Sequence, residues 1–315
     1  MRPRATDEDR GRLGIGCPYL PMFPSIFSEG AVDFIEISPE TLSTPVLVGG
    51  ELEFCLDPDR VGPFRACSEA LPVVLHGVEL SLGAADRWEQ GALTLYEAFM
   101  GEVDVRWLSE HLSYQTWRGR GGERRWTGVP LPLPATSEAV ALVRARRLML
   151  EERFQRPVLV ENLVHYFPKL PSDCGLDEVT FLNAVGCEGR GGLLLDLFNL
   201  YCNANNRGED PREWLFRLDL DLVVEMHVAG GPEIDGLLLD GHDRGVPEEV
   251  WSLLRLALAR APRCRGVVFE VLDAVAPQLG ETRIRDELAR LRDETVSWLE
   301  GGEGHGPPAV AGETR

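Results

Sequence analysis

Residues 223–231 read VVEMHVAGG: an apolar run carries Glu225 and His227 one residue apart and then ends in glycines. In a β-strand, positions i and i+2 point to the same face, so a carboxylate and an imidazole look the same way where the strand stops. The pattern recurs along the chain. His76 lies near the end of PVVLHGV (72–78), Glu110 and His111 near the end of VDVRWLSEHL (103–112), and Glu161 and Asn162 end PVLVEN (157–162). GLLLDL (192–197) delivers Asp196, with Asn199 just beyond, and GVVFEV (266–271) delivers Glu270. The loop after His227 continues to DGHD, which holds Asp240 and His242.

One Glu–His pair is ordinarily a structural ion pair, and a lone buried histidine is ordinarily satisfied by a backbone bond. A series is a different matter. Four of the six histidines fall at or just past apolar runs, each with acids nearby. Crowded carboxylates repel unless a cation neutralises them, and only Arg106 lies close in sequence; divalent metal would remove the repulsion. Imidazole, carboxylate and amide without thiolate suit iron or manganese, with zinc as a further option. The set exceeds what one ion takes, so two or three ions are expected. Cys202, close to Asp196 and Asn199, reads as structural.

The elements that must position these groups follow from periodicity. The six runs above, with RLGIGC (12–17) and VDFIEIS (32–38), make eight short apolar segments. Helix-like stretches separate most of them, at 86–102, 137–154 and 247–261, and a final helix is expected over 281–299. Near-continuous apolar strands alternating with amphipathic helices predict a parallel sheet covered by helices. Eight such units predict an α/β fold of one domain, a (β/α)8 TIM barrel, whose C-terminal strand ends converge on one mouth. A doubly wound open sheet competes, but no GxGxxG opens a helix after the first strand. The expected organisation is a disordered leader over 1–11, the barrel over 12–300 and a disordered tail over 301–315, which contains His305.

Composition narrows the function classes. The formal net charge of −19 argues against nucleic acid and anionic membranes as partners. RGRGGERR (118–125) is the nearest thing to a basic patch and reads as a solvated Gly-rich loop. No apolar run approaches the roughly 20 residues of a membrane span, and the N-terminus lacks a signal-peptide core. Seven cysteines without a CxxC pair point to reduced thiols and a cytoplasmic protein, and away from a thiolate zinc site.

Taken in order, VVLHGVELSLG, LSEHLSY, VPLPLPATSEAV, VENLVHYF, GLLLDLFNLYCNANNRG, MHVAGG, LLLDGHDRGVPEEVWSLL and FEVLD resemble the motifs of the multinuclear non-heme iron-dependent oxidative enzymes, the MbnB/TglH-like family. The resemblance spans about residues 12–275. It implies a TIM barrel with two or three iron ions (Fe2+/Fe3+), and O2 as co-substrate. It also implies oxidative modification of a ribosomally made precursor peptide, often at cysteine, in natural-product biosynthesis. A separate partner protein carrying the peptide-recognition element is implied as well. Carried over position by position, the metal-binding pattern falls on His76, His111, Glu161, Asp196, Asn199, His227, Asp240, His242 and Glu270. Glu110, Asn162 and Glu225 then remain as supports that orient ligands or substrate, and His165 as a neighbour of the ligands.

The chain departs from the family pattern in the lining. Glu79 replaces a glycine of HGVGLSLG, ENLVHY stands for ENxSSY, Phe198 replaces the first asparagine of DxNN, and Val271-Leu272-Asp273 follows Glu270 where Trp-Asp is usual. Two other classes share some of the features. A metal-dependent TIM-barrel hydrolase or isomerase acting on a sugar or phosphate ester accounts for the barrel and its acids, but not for the ordered motifs. A scaffold that kept the barrel and lost its chemistry does not account for the complete ligand set.

Overall fold

The computed structural model describes residues 13–48, 51–85, 88–121, 123–166 and 175–301. The expected leader, nearly all of the expected tail with its His305, and Cys174 lie outside the described residues.

Eight parallel strands close a barrel: β1 (Gly14–Pro18), β2 (Phe34–Ile37), β3 (Val73–Gly77), β4 (Val105–His111), β5 (Val158–Glu161), β6 (Gly192–Asp196), β7 (Val223–Val228) and β8 (Gly266–Phe269). Each pairs with its neighbours in sequence, and β8 returns to β1 through Gly14↔Gly266. A helix follows each strand: α1 (Ser25–Ser28), α2 (Pro58–Ser68), α3 (Gln90–Glu102), α4 (Ser137–Phe154), α5 (Glu178–Gly186), α6 (Leu197–Arg207), α7 (Glu248–Leu258) and α8 (Glu281–Gly301). The expected TIM barrel is therefore the fold, and the doubly wound sheet is excluded.

The period-two alternation explains both the barrel's stability and its chemistry. Ile35, Leu75, Leu108, Val160, Leu195, Met226 and Val267 belong to the core between strands and helices. On the opposite face the interior floor is apolar: Phe34, Val74 and Val268 form one cluster, Leu159, Leu194 and Val224 another, and Trp107 packs against both. Two residues further along the same faces come Glu36, His76, Ser109, Glu161, Asp196 and Glu270. Polar groups are thus stacked one layer above a mostly apolar floor, in which the buried Glu225 is the polar member, at the C-terminal ends of the strands.

Three hairpins absent from the sequence expectation rise from this end. Ser43–Val48 pairs with Glu51–Leu56 after β2, Ser113–Arg118 with Arg124–Pro132 after β4, and Glu233–Ile234 with Leu237–Leu238 after β7. Within 118–125, expected as a solvated Gly-rich loop, Arg118 pairs with Arg124, and Arg125 with Trp117, in the second hairpin. No helix among the described residues is long and apolar enough to cross a membrane.

Candidate metal centre

Strand register brings His111 opposite Glu161, Asp196 opposite His227, and His76 opposite Ser109. Glu161 sits between two groups. Its Oε2 lies 3.4 Å from His76 Nε2 and 3.2 Å from His111 Nε2. Its Oε1 lies 3.9 Å from His227 Nδ1, which in turn stands 2.9 Å from Glu270 Oε2. Candidate ligand atoms of His76, His111 and Glu161 lie within 4.8 Å of one another, and so do those of Glu161, Asp196, His227 and Glu270. Metal bonds of about 2.0–2.2 Å place neighbouring ligand atoms at about this spacing. One carboxylate therefore belongs to two candidate ion positions.

The next two candidates come from the loop after β7. His242 Nε2 stands 2.7 Å from Asp240 Oδ1 and 3.4 Å from Glu270 Oε2, so this pair adjoins the second group through Glu270. Local sequence explains how the loop gets there. Cβ atoms at Gly230 and Gly231 would collide with the backbone oxygens of Gly245 and Leu239, so the returning chain passes where only glycine fits. Asn206 of α6 clasps the small hairpin, donating to Leu238 O at 2.9 Å and accepting from Leu238 N at 2.8 Å. Asp240 N donates to Tyr166 Oη at 2.8 Å, and His242 adopts a positive φ of 50°.

Asp196 ends β6 and caps α6: Oδ1 accepts from Asn199 N at 2.7 Å, while Oδ2 is buried without a hydrogen-bond partner. Asn199 Nδ2 donates to Asn162 O at 3.1 Å, leaving Oδ1 without a partner. Asn162 binds both backbone groups of Asp196, at 2.9 Å each, and so ties the ends of β5 and β6 together. His76 Nδ1 contacts Ser109 Oγ at 2.9 Å, which turns its bare Nε2 towards Glu161.

Those unpartnered buried atoms test whether metal fits. His76 Nε2, Glu161 Oε2, Asp196 Oδ2 and Asn199 Oδ1 all lack a hydrogen-bond partner, and Asp240 Oδ1 and His242 Nε2 have only each other, at 2.7 Å. Buried polar atoms are normally paired, so such a concentration at one strand-end layer calls for a ligand. A nitrogen–oxygen donor set facing an acidic layer suits a divalent cation. The residues fit.

Electrostatics agree with that reading. Burial raises the Glu161 carboxyl well above its ordinary range, with His227 opposing and Glu270, Asp196 and Asp240 adding. Asp196 is pushed up to about 8 by burial and by the charges of Glu270 and Asp240. Burial pushes His76 down, and takes His111 down to about 4. Burial also opposes charge on His227 and His242, yet flanking carboxylates lift the first well above its usual value and the second to about 10. Burial works to raise Glu270, but His242 and His227 hold it well below the carboxylate range. Without metal, histidines supply the positive charge that the acids require.

The remaining sequence candidates separate from this layer. Glu110 points to the outer face of β4, where Tyr96 Oη of α3 approaches its Oε2 at 3.1 Å; its link to the site is through the His111 backbone N–H, at 3.3 Å. Glu225 lies one pleat below His227 and accepts from Trp107 Nε1 at 2.8 Å. His165 faces away: its backbone N–H donates to Asn203 Oδ1 at 2.7 Å, and its Nε2 stands 3.6 Å from Glu178 Oε1. Phe198 and Val271 are fully buried, Glu79 is partly exposed, and burial pushes the Cys202 thiol up. A cavity of about 830 Å3 is lined by Leu112 and Asn162, each next to a candidate ligand in sequence, and by Tyr114, Leu133, His165 and Phe181 among others.

One residue escaped the sequence reading. Glu36, in β2, is 2 % exposed, and its Oε2 stands 2.9 Å from His227 Nε2. The available signal was an acid two residues after Phe34 in an otherwise apolar strand, on the parity that faces inward.

Comparison with known proteins places the chain among related sequences. The model of the RiPP precursor modification enzyme family MbnB/TglH/ChrH matches residues 12–294. A UPF0276 protein of Rhizorhabdus wittichii is 33% identical over 281 residues, covering 89% of this chain and 93% of that protein. Another, from Caulobacter vibrioides, is 32% identical over 280 residues, covering 87% and 89%. Among solved structures, endonuclease IV from Thermus thermophilus superposes with a TM-score of 0.53 at 18% identity, covering 91% of this chain and 99% of that one. A D-tagatose 3-epimerase-like protein gives 0.53 at 13% identity, covering 93% and 100%. At these identities the likeness is one of fold.

Proposed function

We propose that this chain, which belongs to the MbnB/TglH/ChrH family of RiPP precursor modification enzymes, holds two or three iron ions at the barrel mouth and uses O2 to oxidise a residue of a ribosomally made precursor peptide. The observation that carries the reading is Glu161, one buried carboxylate shared by the His76–His111 group and the Asp196–His227–Glu270 group. Glu161 would serve metal held by either group, so that both groups would face one substrate. Asn199, Asp240 and His242 extend the donor set towards a further ion. Bound iron would supply the redox chemistry and a site for dioxygen.

The chain's own residues do the rest. His76 and His111 present neutral imidazole nitrogens because burial disfavours their charged forms. Ser109 and Asn162 fix His76 and Asp196 in place, and the apolar floor keeps water from beneath the ions. The cavity lined by Leu112 and Asn162, each next to a ligand in sequence, would give a peptide segment room. A separate partner protein that presents the peptide, and a cytoplasmic setting, complete the reading.

The test is anaerobic reconstitution with Fe(II), metal analysis, then exposure to O2 with a candidate precursor peptide encoded near the gene. The expected result is two or three irons per chain and an oxygen-dependent mass change in the peptide. Protein that holds a single zinc and no iron, and stays silent towards O2, overturns the proposal. Oxygen-independent turnover of a sugar or phosphate ester would favour the hydrolase or isomerase reading.

A further inference from the structure

His76 and His227 turn opposite nitrogens towards the shared carboxylate. His76 offers Nε2 to Glu161 and gives Nδ1 to Ser109. His227 offers Nδ1, which faces Glu270 at 2.9 Å and Glu161 at 3.9 Å, and its Nε2 points the other way, to Glu36. The rings stand nearly edge to face, with centroids 5.3 Å apart and planes at 69°.

We infer that Glu36 is the positioning residue for His227: it takes the Nε2–H, so that the Nδ1 lone pair is the one presented to metal. This rests on the metal centre proposed above, but not on the identity of the metal.

Three observations carry it. First, the geometry is that of a hydrogen bond, at 2.9 Å between buried atoms, and it lies on the ring edge away from Glu161, whereas the equally short contact of Nδ1 is to Glu270, itself in the candidate ligand group. Second, Glu36 is fixed by its strand. It lies opposite Val74 of β3 and Pro18 of β1, two positions above Phe34 in the barrel floor, with no room to swing towards solvent. Third, the acid below, Glu225, accepts from Trp107 Nε1 through Oε2 and has an unpartnered Oε1, yet the carboxylate that reaches His227 Nε2 is Glu36. A carboxylate behind a ligating imidazole fixes its tautomer and ring orientation and raises its basicity, and losing such a partner typically costs about 10–100-fold in metal affinity. Candidate ligand atoms of Glu36, Glu225 and His227 also lie within 4.8 Å of one another, so a second arrangement, with Glu36 itself on an ion, has a different signature.

The experiment titrates metal-free full-length protein with Co(II) under anaerobic conditions and follows ligand-field absorption and ions bound per chain. Glu36→Leu removes the acceptor; Glu36→Gln keeps the volume and an amide oxygen that still accepts. The expected result is an unchanged number of ions at saturation, with one binding step weakened about 10–100-fold in Glu36→Leu. Its absorption bands should shift, and Glu36→Gln should fall between Leu and wild type. Identical titrations for wild type and both variants overturn the inference. So does a stoichiometry lower by one whole ion in both variants at saturation, which would make Glu36 a ligand. Wild-type protein that binds no Co(II) instead overturns the metal centre itself, so the two failures are distinguishable.

Discussion

His111 and Glu161 are register partners on adjacent barrel strands, with Nε2 and Oε2 3.2 Å apart. The same carboxylate reaches the opposite group, and this makes its removal unlike any other single change. Glu161→Gln should abolish occupancy at both flanking positions. His76→Ala should empty only the first, because Asp196, His227 and Glu270 remain with Glu161. Iron per chain after anaerobic loading distinguishes them: Glu161→Gln should lose at least one ion more than His76→Ala.

Metal-free protein should lose stability as pH rises from about 6.5 to 8. Asp196 and Glu225 titrate at about 8 in the fold, raised chiefly by burial, so folding takes up protons. Stability from a raised group is complete below its unfolded value and lost as pH rises through its folded value. His242, raised to about 10, acts in the same direction. His76 and His111 are depressed and act oppositely, but their stabilisation is lost only as pH falls below the ordinary histidine value. Above about 6.5 the slopes therefore no longer compete. Bound metal requires deprotonated ligands and should reverse the trend, with affinity rising over the same window. Thermal unfolding of metal-free and loaded protein at pH 6.5, 7.2 and 8 measures both.

Asn206 lies outside the acidic layer yet should control one part of it. Its two hydrogen bonds to Leu238 set the hairpin that leads to Asp240 and His242. Each bond is worth about 0.5–1.5 kcal/mol net. Asn206→Ala should lower stability by about 1–3 kcal/mol and weaken occupancy next to Asp240, while ions held by barrel strands remain. A denaturant melt and a metal count on the same sample separate the two effects.

Much of this centre was legible because barrel topology converts a one-dimensional pattern into a ring. A polar residue at the end of an apolar run is ambiguous alone; His76, His111, Glu161, Asp196, His227 and Glu270 become one site because successive parallel strands end on one side. Glu36 escaped because it stands inside its run, where an acid reads as an interruption of the strand. Glu110 reaches the site only through the His111 backbone N–H. Strand-end position suggested the site, but parity sends its side chain outward to Tyr96. The hairpins were hidden for a third reason: sequences such as RGRGGERR carry no period-two apolar pattern.

At the far end of the barrel, Arg147 is fully buried in α4 and should matter for folding alone. Its Nη2 donates to the backbone oxygens of Cys187 and Glu188, at 2.6 and 2.7 Å, and its Nη1 reaches Glu151 Oε1 at 3.0 Å. Glu151 also accepts from the backbone N–H of Arg190 and Gly191, at 2.8 and 2.7 Å, so one ion pair joins α4 to the connection between α5 and β6. Arg147→Met fills much of the volume but strands a buried carboxylate and two carbonyls. Breaking a buried pair in this way costs about 3–5 kcal/mol. Replacing both partners, Arg147→Met with Glu151→Leu, removes the stranded charge but leaves the N–H groups of Arg190 and Gly191 unsatisfied, so it should recover only part of the loss. Metal stoichiometry should be unchanged in both, since neither residue approaches the mouth. Urea unfolding of the single and double variants gives the coupling, and a recovery to full wild-type stability would show that Glu151 does not hold the connecting backbone.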